Sequence, residues 1–401
     1  MHLIKKIPAA QLAVGMYIHD LNCGWLAHPF LKNQFAVKDA ESIRKILDVG
    51  IREVYIDTRR GTDVADAPSL EQVQAEIDQQ VEEIAKAAPI TISTPTLAEQ
   101  VKRARTLYSD ANKLVGGIMN DVRLGKQIEV EKCDPLVDGI LDSIFSAPHA
   151  LLPLAQVKTR DEYTFQHSVS VAALSVAFGR ALDLPRHVIK EVALGGLLHD
   201  VGKALVPPAI LNRPGKLSDA EFAVMKSHAR HGAELLGKTP GISEIAFSAA
   251  AQHHERYDGT GYPQGLKGEA ISIYGQMIAI VDVYDAITSL RVYHSGMPAT
   301  EALRKMFEWS KFHFNPRLVQ AFIKGIGIYP AGSLVRLESG KMGIVREVVP
   351  AKLLQPVVKV FYHAERQCYL DPETLDLAAA EDKIVAHESF EKWGIDQAQW
   401  L

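Results

Sequence analysis

Hydrophobic and polar positions along the chain change their period several times. Residues 15–20 (GMYIHD) and Glu53–Asp57 read as strands, the latter with Val54 and Ile56 on one face. Between them, residues 40–49 space Ile43, Ile46 and Leu47 as a helix that Gly50 stops. This is a small mixed α/β module. A polar run from Thr62 to Ala67 closes it, and Pro68-Ser69 opens a helix with Leu70, Val73, Ile77, Val81 and Ile84 at steps of three and four. Pro89 to Pro95 break that helix. Thr96 with Glu99 forms a capping box for a second one running to about Val122. Its apolar positions are Val101, Ala104, Leu107, Tyr108, Ala111, Leu114, Val115 and Ile118. Two such helices either pack on their own domain or serve as a connector and homodimer seam.

From Asp134 to about Gly325 the pattern is almost wholly helical. Asp134-Pro135 reads as an N-cap and first-turn pair, and Ser218 with Glu221 as a further capping box. After Gly327 the texture turns to β: residues 333–349 and 356–363 are rich in Val, Leu and Tyr, and Ser339-Gly340 sits where a hairpin turn belongs. The expected fold class is therefore mainly α. A mixed α/β regulatory module with connector helices occupies residues 1–130, an all-helical catalytic domain 131–330, and a β-rich extension 331–401.

The composition narrows the function classes. The chain has 401 residues, 47% hydrophobic and 23% charged, which supports two or three domains with sizeable cores. A net charge of −4 argues against a protein that blankets nucleic acid or an anionic membrane, so neither DNA, RNA nor a membrane is an expected partner. Cys23, Cys133 and Cys368 are far apart with no CxxC, which excludes a disulfide scaffold and a thiolate zinc site and fits a reducing compartment. Pro8 and Gln11 interrupt what a signal peptide would keep apolar. The most apolar stretches, 188–198 and 271–287, carry charges and fall short of the ~20 residues that span a bilayer. The expected location is cytoplasmic.

Histidine is unevenly spread: ten of the fifteen lie between His149 and His313. His167 sits on a helix beginning near Tyr163, His199-Asp200 ends the helix Arg186–Leu198, His228 lies on the 218–236 helix, and His253-His254 closes the helix that starts near Ser243. Asp282, with Asp285 one turn later, is on the 271–289 helix. Singly, each is more often a packing residue than a ligand, and His19-Asp20 in a strand-like segment is a decoy with no assigned role. Together, imidazole and carboxylate donors suit divalent iron, manganese or zinc rather than calcium or magnesium. Five histidines and two carboxylates exceed what one ion needs, so the count suggests at least two. His187, His231 and His313 read as surface or packing residues.

Residues 253–263 read HHERYDGTGYP, and with HDVGK at 199–203 the segment from about Pro148 to Phe322 resembles the HD-GYP phosphodiesterases, metal-dependent phosphohydrolases that cleave cyclic di-GMP in bacterial signalling. The N-terminal module resembles a poorly characterised domain often found ahead of HD-GYP. The resemblance implies that His167, His199, Asp200, His228, His253, His254 and Asp282 are metal ligands, with Asp200 bridging two ions, iron or manganese. It implies that Lys203 sits beside the reacting phosphate. It also implies that Asp258, Gly259, Gly261, Tyr262 and Pro263 form a GYP loop that shapes the chain, supports the site and contributes to signalling-protein contacts. Two departures stand out. Where some members hold a third metal with Glu, this chain has Tyr163, and Glu162 is displaced by about 100° around the helix, so a binuclear site is expected. Where the family commonly reads Arg-Pro-Tyr-Lys, this chain has Arg291-Val292-Tyr293-His294. Arg291 keeps the bidentate phosphate fork, whereas His294 is a weaker cation at neutral pH. The implied reaction is attack of metal-activated hydroxide on phosphorus, yielding linear pGpG and, on rebinding, GMP. The alternatives are cleavage of the mixed cyclic GMP-AMP dinucleotide, a catalytically silent cyclic-dinucleotide receptor, and a nucleotidase acting on monophosphates.

Overall fold

The computed structural model describes residues 4–23, 30, 34–85, 97–156, 163–213, 215, 217–289, 296–349 and 352–400. The fold is mainly α, with a small sheet towards each end of the chain. The first sheet has the order β1-β4-β2-β3, from β1 (Ile4–Pro8), β2 (Tyr17–Asp20), β3 (Phe35–Ala36) and β4 (Glu53–Asp57), and is antiparallel throughout. β1 escapes the sequence pattern because Lys6 is buried, paired with Glu53 and Glu308, rather than pointing to solvent. Helix α1 (Ala40–Asp48) is capped by Asp39, whose carboxylate accepts from the Ser42 amide, a contact of a kind that contributes about 1 kcal/mol. Its Ile46 packs with Ile7, Ile18, Val54 and Ile56 in the module's core.

Next come α2 (Leu70–Ala85) and the long α3 (Leu97–Arg123). The Pro89 to Pro95 break and the Thr96 cap lie outside the described residues. The helical part follows: α4 (Asp134–Ser146), α5 (Pro148–Gln156), α6 (Tyr163–Ala181), α7 (Arg186–Leu198), the single turn α8 (Pro208–Leu211), α9 (Asp219–Leu236), α10 (Glu244–Ala251), α11 (Ile273–Thr288), α12 (Ala299–Trp309) and α13 (Pro316–Ile326). α6 is apolar nearly all round and takes the central position such a helix demands. On one side Val169, Ala172, Ala173 and Val176 join a core shared by α3, α4, α5 and α7; on the other Val171, Leu174 and Phe178 join Ile280, Tyr284, Phe322 and other residues of α11, α12 and α13.

Ala104, Ala111, Val115, Ile118 and Val122 of α3 are buried in the first of these cores. Four of the eight positions considered for a homodimer seam, Ala104, Ala111, Val115 and Ile118, are thus covered within the chain itself. α2 lies against α12 and α13, with Asp78 accepting from Arg304 at 2.6 Å. The box at Ser218 and Glu221 caps α9. Asp134, by contrast, is the first residue of α4 and not its cap. A preceding 3₁₀ turn, Val130–Lys132, already sets Cys133 in helical backbone, and the Asp134 carboxylate instead pairs with Lys190 of α7 at 2.9 Å.

The C-terminal sheet is antiparallel in the order β8-β7-β6-β5-β9, built from β5 (Leu334–Leu337), β6 (Lys341–Glu347), β7 (Val357–His363), β8 (Cys368–Asp376) and β9 (Ile384–Glu388). Ser339-Gly340 does turn the β5–β6 hairpin. One face buries Val335, Val345, Val358 and Val360; the other is covered by α14 (Phe390–Trp393) and α15 (Gln397–Trp400), with Trp400 stacked on Phe361.

Candidate metal centre

Five segments of the helical part deliver polar side chains to one buried point. α6 brings His167. α7 ends at Leu198, leaving His199 in helical backbone as its C-cap, and Asp200 begins the 3₁₀ turn Val201–Leu205. That turn presses on α9: a Cβ on Gly202 would stand 2.0 Å from the His228 carbonyl oxygen and 2.5 Å from the Gly232 nitrogen. Only glycine lets the Asp200 corner come this close to His228. α10 stops at Ala251 with Gln252 as its C-cap, so His253 and His254 lie in the turn beyond it and do not close the helix as expected. Neighbours on a helix diverge by about 100°, whereas the turn sets the two rings side by side, 4.0 Å between centroids. α11 supplies Asp282 and, one turn on, Asp285.

The two oxygens of Asp200 face different partners. Oδ2 lies 3.3 Å from His199 Nε2 and 3.7 Å from His167 Nε2, while Oδ1 lies 3.4 Å from His228 Nε2 and 4.0 Å from His253 Nε2. Asp282 Oδ1 completes the first group at 2.9 Å from His167 Nε2 and 3.8 Å from His199 Nε2. His254 Nε2 completes the second, 3.1 Å from His228 Nε2, which is itself 3.4 Å from His253 Nε2. Donors bound to one ion at about 2.0–2.1 Å stand about 2.9–3.4 Å apart in tetrahedral or octahedral geometry. The tighter of these separations already match that spacing. His167, His199 and Asp282, and separately His228, His253 and His254, are groups whose donor atoms all lie within 4.8 Å of one another.

Protonation fits the same reading. A carbonyl oxygen only accepts, so the contacts of His199 Nδ1 with Gly196 O (2.7 Å), His228 Nδ1 with Met225 O (2.7 Å) and His253 Nδ1 with Ala250 O (2.5 Å) put a proton on each Nδ1. Burial pushes the His228 imidazole down to about 4 and that of His253 to about 3; burial, with His253 and His228 alongside, holds His254 well below its ordinary value. Neutral, Nδ1-protonated rings leave His228 and His253 with bare Nε2 lone pairs facing each other, an arrangement that an electrophile between them would relieve. His199 Nε2 is buried without a hydrogen-bond partner. Burial would lower His199, but the Asp200 charge outweighs it and raises the imidazole. Burial would raise Asp200, yet His199 and then Lys203 hold it well below the carboxylate range. Asp282 is likewise held down, chiefly by His167 against the effect of burial. The donor set and its charges suit divalent metal.

Comparison with known proteins agrees. Residues 150–318 match the family described as HD domain, and residues 4–133 match the domain of unknown function DUF3391. A curated cyclic di-GMP phosphodiesterase of Pseudomonas aeruginosa is 42% identical over 394 residues, covering 98% of this chain and 94% of that one. This chain belongs to the HD-GYP family. A 3′3′-cGAMP-specific phosphodiesterase 1 of Vibrio cholerae is 38% identical over 157 residues, 39% of this chain and 36% of that protein. Among solved structures, an HDG"Y"P protein of Bdellovibrio bacteriovorus has a TM-score of 0.48 at 19% identity, covering 80% of this chain and 98% of that one.

Of the remaining HD-GYP positions, Lys203 and Tyr262 stand beside this centre. Lys203 Nζ donates to Asp200 Oδ2 at 2.5 Å. Tyr262 lays its ring against His254, 4.6 Å between centroids, and its amide donates to the His254 carbonyl. Burial, reinforced by the Asp282 charge, raises its phenol well above the ordinary value. Gly259 takes a left-handed φ of 86°, and a Cβ on Gly261 would meet the Arg256 nitrogen at 2.3 Å, so both glycines shape the loop. Asp258 accepts from the Thr260 amide and hydroxyl, and Pro263 follows Tyr262 through a cis peptide bond. Arg291, His294 and Glu162 lie outside the described residues, as does the side chain of Tyr163.

Two residues at the site were not singled out by sequence reasoning. Asp285 Oδ2 accepts from His167 Nδ1 at 2.6 Å, and its position one turn after Asp282 was the available signal. Glu255, buried, accepts from the amides of Gln264 and Leu266 and anchors the GYP loop; it follows the double histidine directly. Asp20 of the decoy pair is engaged by Lys305 at 2.7 Å. Among the described residues His187, His231 and His313 enter none of the candidate metal groups.

Proposed function

We propose that this chain is a metal-dependent phosphodiesterase that opens cyclic di-GMP to linear pGpG, with a second cut to GMP when the linear product rebinds. The observation that carries this is Asp200, one carboxylate presented to two separate sets of imidazole donors. His167, His199 and Asp282 with Asp200 Oδ2 would hold one divalent ion; His228, His253 and His254 with Asp200 Oδ1 would hold a second. The all-nitrogen and oxygen donor set, with no thiolate, favours iron or manganese. A bound pair of such ions lowers the pKa of water and neutralises phosphate charge.

The chain's own residues do the rest. The lowered carboxyls of Asp200 and Asp282 and the lowered imidazoles of His228, His253 and His254 keep those donors deprotonated at neutral pH. Lys203, on the rim of the pocket with its side chain 23% exposed, offers charge to a phosphate oxygen as negative charge builds in the transition state. Arg291 and His294 are assigned to the remaining phosphate contacts, and Tyr262 forms the wall beside His254. Among the described residues no helix is long and apolar enough to cross a membrane. Cys23, Cys133 and Cys368 form no disulfide, which supports a cytoplasmic location, where thiols stay reduced.

The test is elemental analysis of anaerobically purified protein, followed by incubation with cyclic di-GMP and, in parallel, with the mixed cyclic GMP-AMP dinucleotide that the Vibrio relative names. Two ions per chain and appearance of pGpG are expected. Asp200→Ala should abolish turnover and reduce metal content. Lys203→Ala should slow hydrolysis about 10²-fold with metal retained. Binding without turnover by the metal-replete protein would make it a receptor, and faster loss of the mixed dinucleotide would reassign its substrate.

A further inference from the structure

Among the described residues the α/β part of the N-terminal module makes polar contact with the helical part at two places, the GYP loop, which borders the metal centre, and α12. At the first, Arg256 from within the HHERYDGTGYP segment donates through one guanidinium nitrogen to the Val49 carbonyl at 3.1 Å and to the Thr260 hydroxyl at 3.4 Å. Gly50 lies so close to Thr260 that a Cβ there would meet the Thr260 Cβ at 2.7 Å. Arg52 approaches Asp258 at 3.8 Å. At the second place, Glu308 of α12 receives the buried Lys6 ammonium, the Tyr55 hydroxyl (2.8 Å) and the Asn22 amide (3.1 Å), while Asn22 accepts from Trp309 Nε1 at 3.0 Å. The two places are joined behind the loop, where the Tyr257 amide donates to the His313 carbonyl at 3.0 Å. Desolvation, with Arg256 and Arg52 nearby, holds the His313 imidazole well below its ordinary value. The GYP loop therefore has the module on one side and the metal ligands on the other. Gly261 packs directly on the Arg256 backbone and passes that constraint to Tyr262, the neighbour of His254.

We propose that Arg256 is a positioning residue, tying the GYP loop to the N-terminal module so that the module's seat sets how firmly Tyr262 is held in the substrate pocket. The kinetic part of this claim rests on the phosphodiesterase reading; the mechanical part does not. The guanidinium contacts a module carbonyl and a loop hydroxyl with one group, so its loss removes a contact from both partners at once. A displacement of the module has, by the same route, a direct path to the active site.

The experiment compares full-length, metal-loaded Arg256→Met and Arg256→Lys with the parent chain, reading amide hydrogen exchange, metal content and steady-state kinetics. In Arg256→Met, peptides covering 46–57 and 257–266 should lose protection together, by about tenfold. Metal content should hold, and KM for cyclic di-GMP should rise about tenfold with kcat kept within about twofold. Arg256→Lys, with a donor for the Val49 carbonyl, should restore part of both effects. Loosening of 257–266 without 46–57, an unmoved KM despite loosening of both, or loss of metal would overturn the proposal. Should Arg256→Met not fold, Glu308→Gln loosens the module through Lys6 and Tyr55 and must raise exchange in 257–266; if it does not, the coupling is absent. A parent chain that leaves cyclic di-GMP intact would count against the substrate, while the exchange measurements decide the coupling without any substrate.

Discussion

Asp285 shows what a side chain one contact away from the donor atoms does. By accepting from His167 Nδ1 at 2.6 Å it orients the ring and directs Nε2 towards Asp282 and Asp200. Partners of this kind tune affinity by about 10–100-fold. Asp285→Asn should therefore weaken metal binding by that order in a chelator-competition titration, with the circular dichroism unchanged; equal affinity would deny it the role. The histidines also set a pH dependence for the metal-free protein. His228 at about 4 and His253 at about 3 lie below the ~6.5 of an unfolded chain, so on acidification the unfolded state takes up protons first. Their contribution is complete above about pH 6.5 and is lost as pH falls toward the folded values, about 2 kcal/mol for each between pH 6.5 and 5. His254 acts in the same sense. His199, raised, acts oppositely: its contribution is present below pH 6.5 and fades as pH rises through its folded value. The lowered carboxyls of Asp200 and Asp282 begin to count only below about pH 4. Three against one predicts a lower calorimetric Tm at pH 5 than at pH 7 for the apo protein; a flat or opposite trend would mean the rings are not neutral.

At the level of elements, the site depends on how closely a turn can approach a helix. Gly202→Ala would drive a methyl group into the His228 carbonyl and the Gly232 nitrogen, both backbone atoms that cannot swing aside. The turn and α9 must part, at a cost of about 3 kcal/mol, and His228 withdraws from Asp200. A lower Tm with reduced metal stoichiometry is expected by calorimetry and elemental analysis. Gly117→Ala on α3, with nothing within 4 Å, is the control and should be neutral or stabilising by about 0.5–1 kcal/mol. Unimpaired metal content in Gly202→Ala would show that α9 adapts. Much of this scale was legible in the sequence. The spans of β4 and α7 and the capping box of α9 follow from alternation, 3.6-residue spacing and side-chain chemistry. Less legible was whatever long-range contacts decide. β1 is concealed because a tertiary ion pair buries Lys6, and the double histidine leaves its helix because both rings turn to one centre. The partnership of Asp285 with His167 spans 118 positions, so the one-turn spacing after Asp282 hints at the site without naming the partner.

Across the whole molecule, periodicity tells that a helix face is buried but not against what, and α3 is the case in point. Its stripe is plain in the sequence, and the match to the N-terminal domain family, ending at residue 133, takes in the whole helix. Yet Val115, Ile118, Met119 and Val122 share a core with Ile140, Val169, Ile189 and Leu197 of the catalytic helices, and α3 packs on the turn that carries Lys203. Burying side chains of this size is worth about 1.5–3 kcal/mol each. Four of them therefore rival the 5–15 kcal/mol by which a domain is stable at all. A fragment beginning at residue 131 loses that helix and exposes the core beside His199-Asp200, whereas one beginning at residue 97 keeps it and gives up the module's polar seat on α12 and the GYP loop together with α2, which lies against α12 and α13. The expected result is that 97–401 melts cooperatively and binds metal, while 131–401 is insoluble or lacks a thermal transition. A cooperative melt and full metal content in 131–401 would assign α3 to the N-terminal module after all, and would leave the catalytic part independent of everything before it.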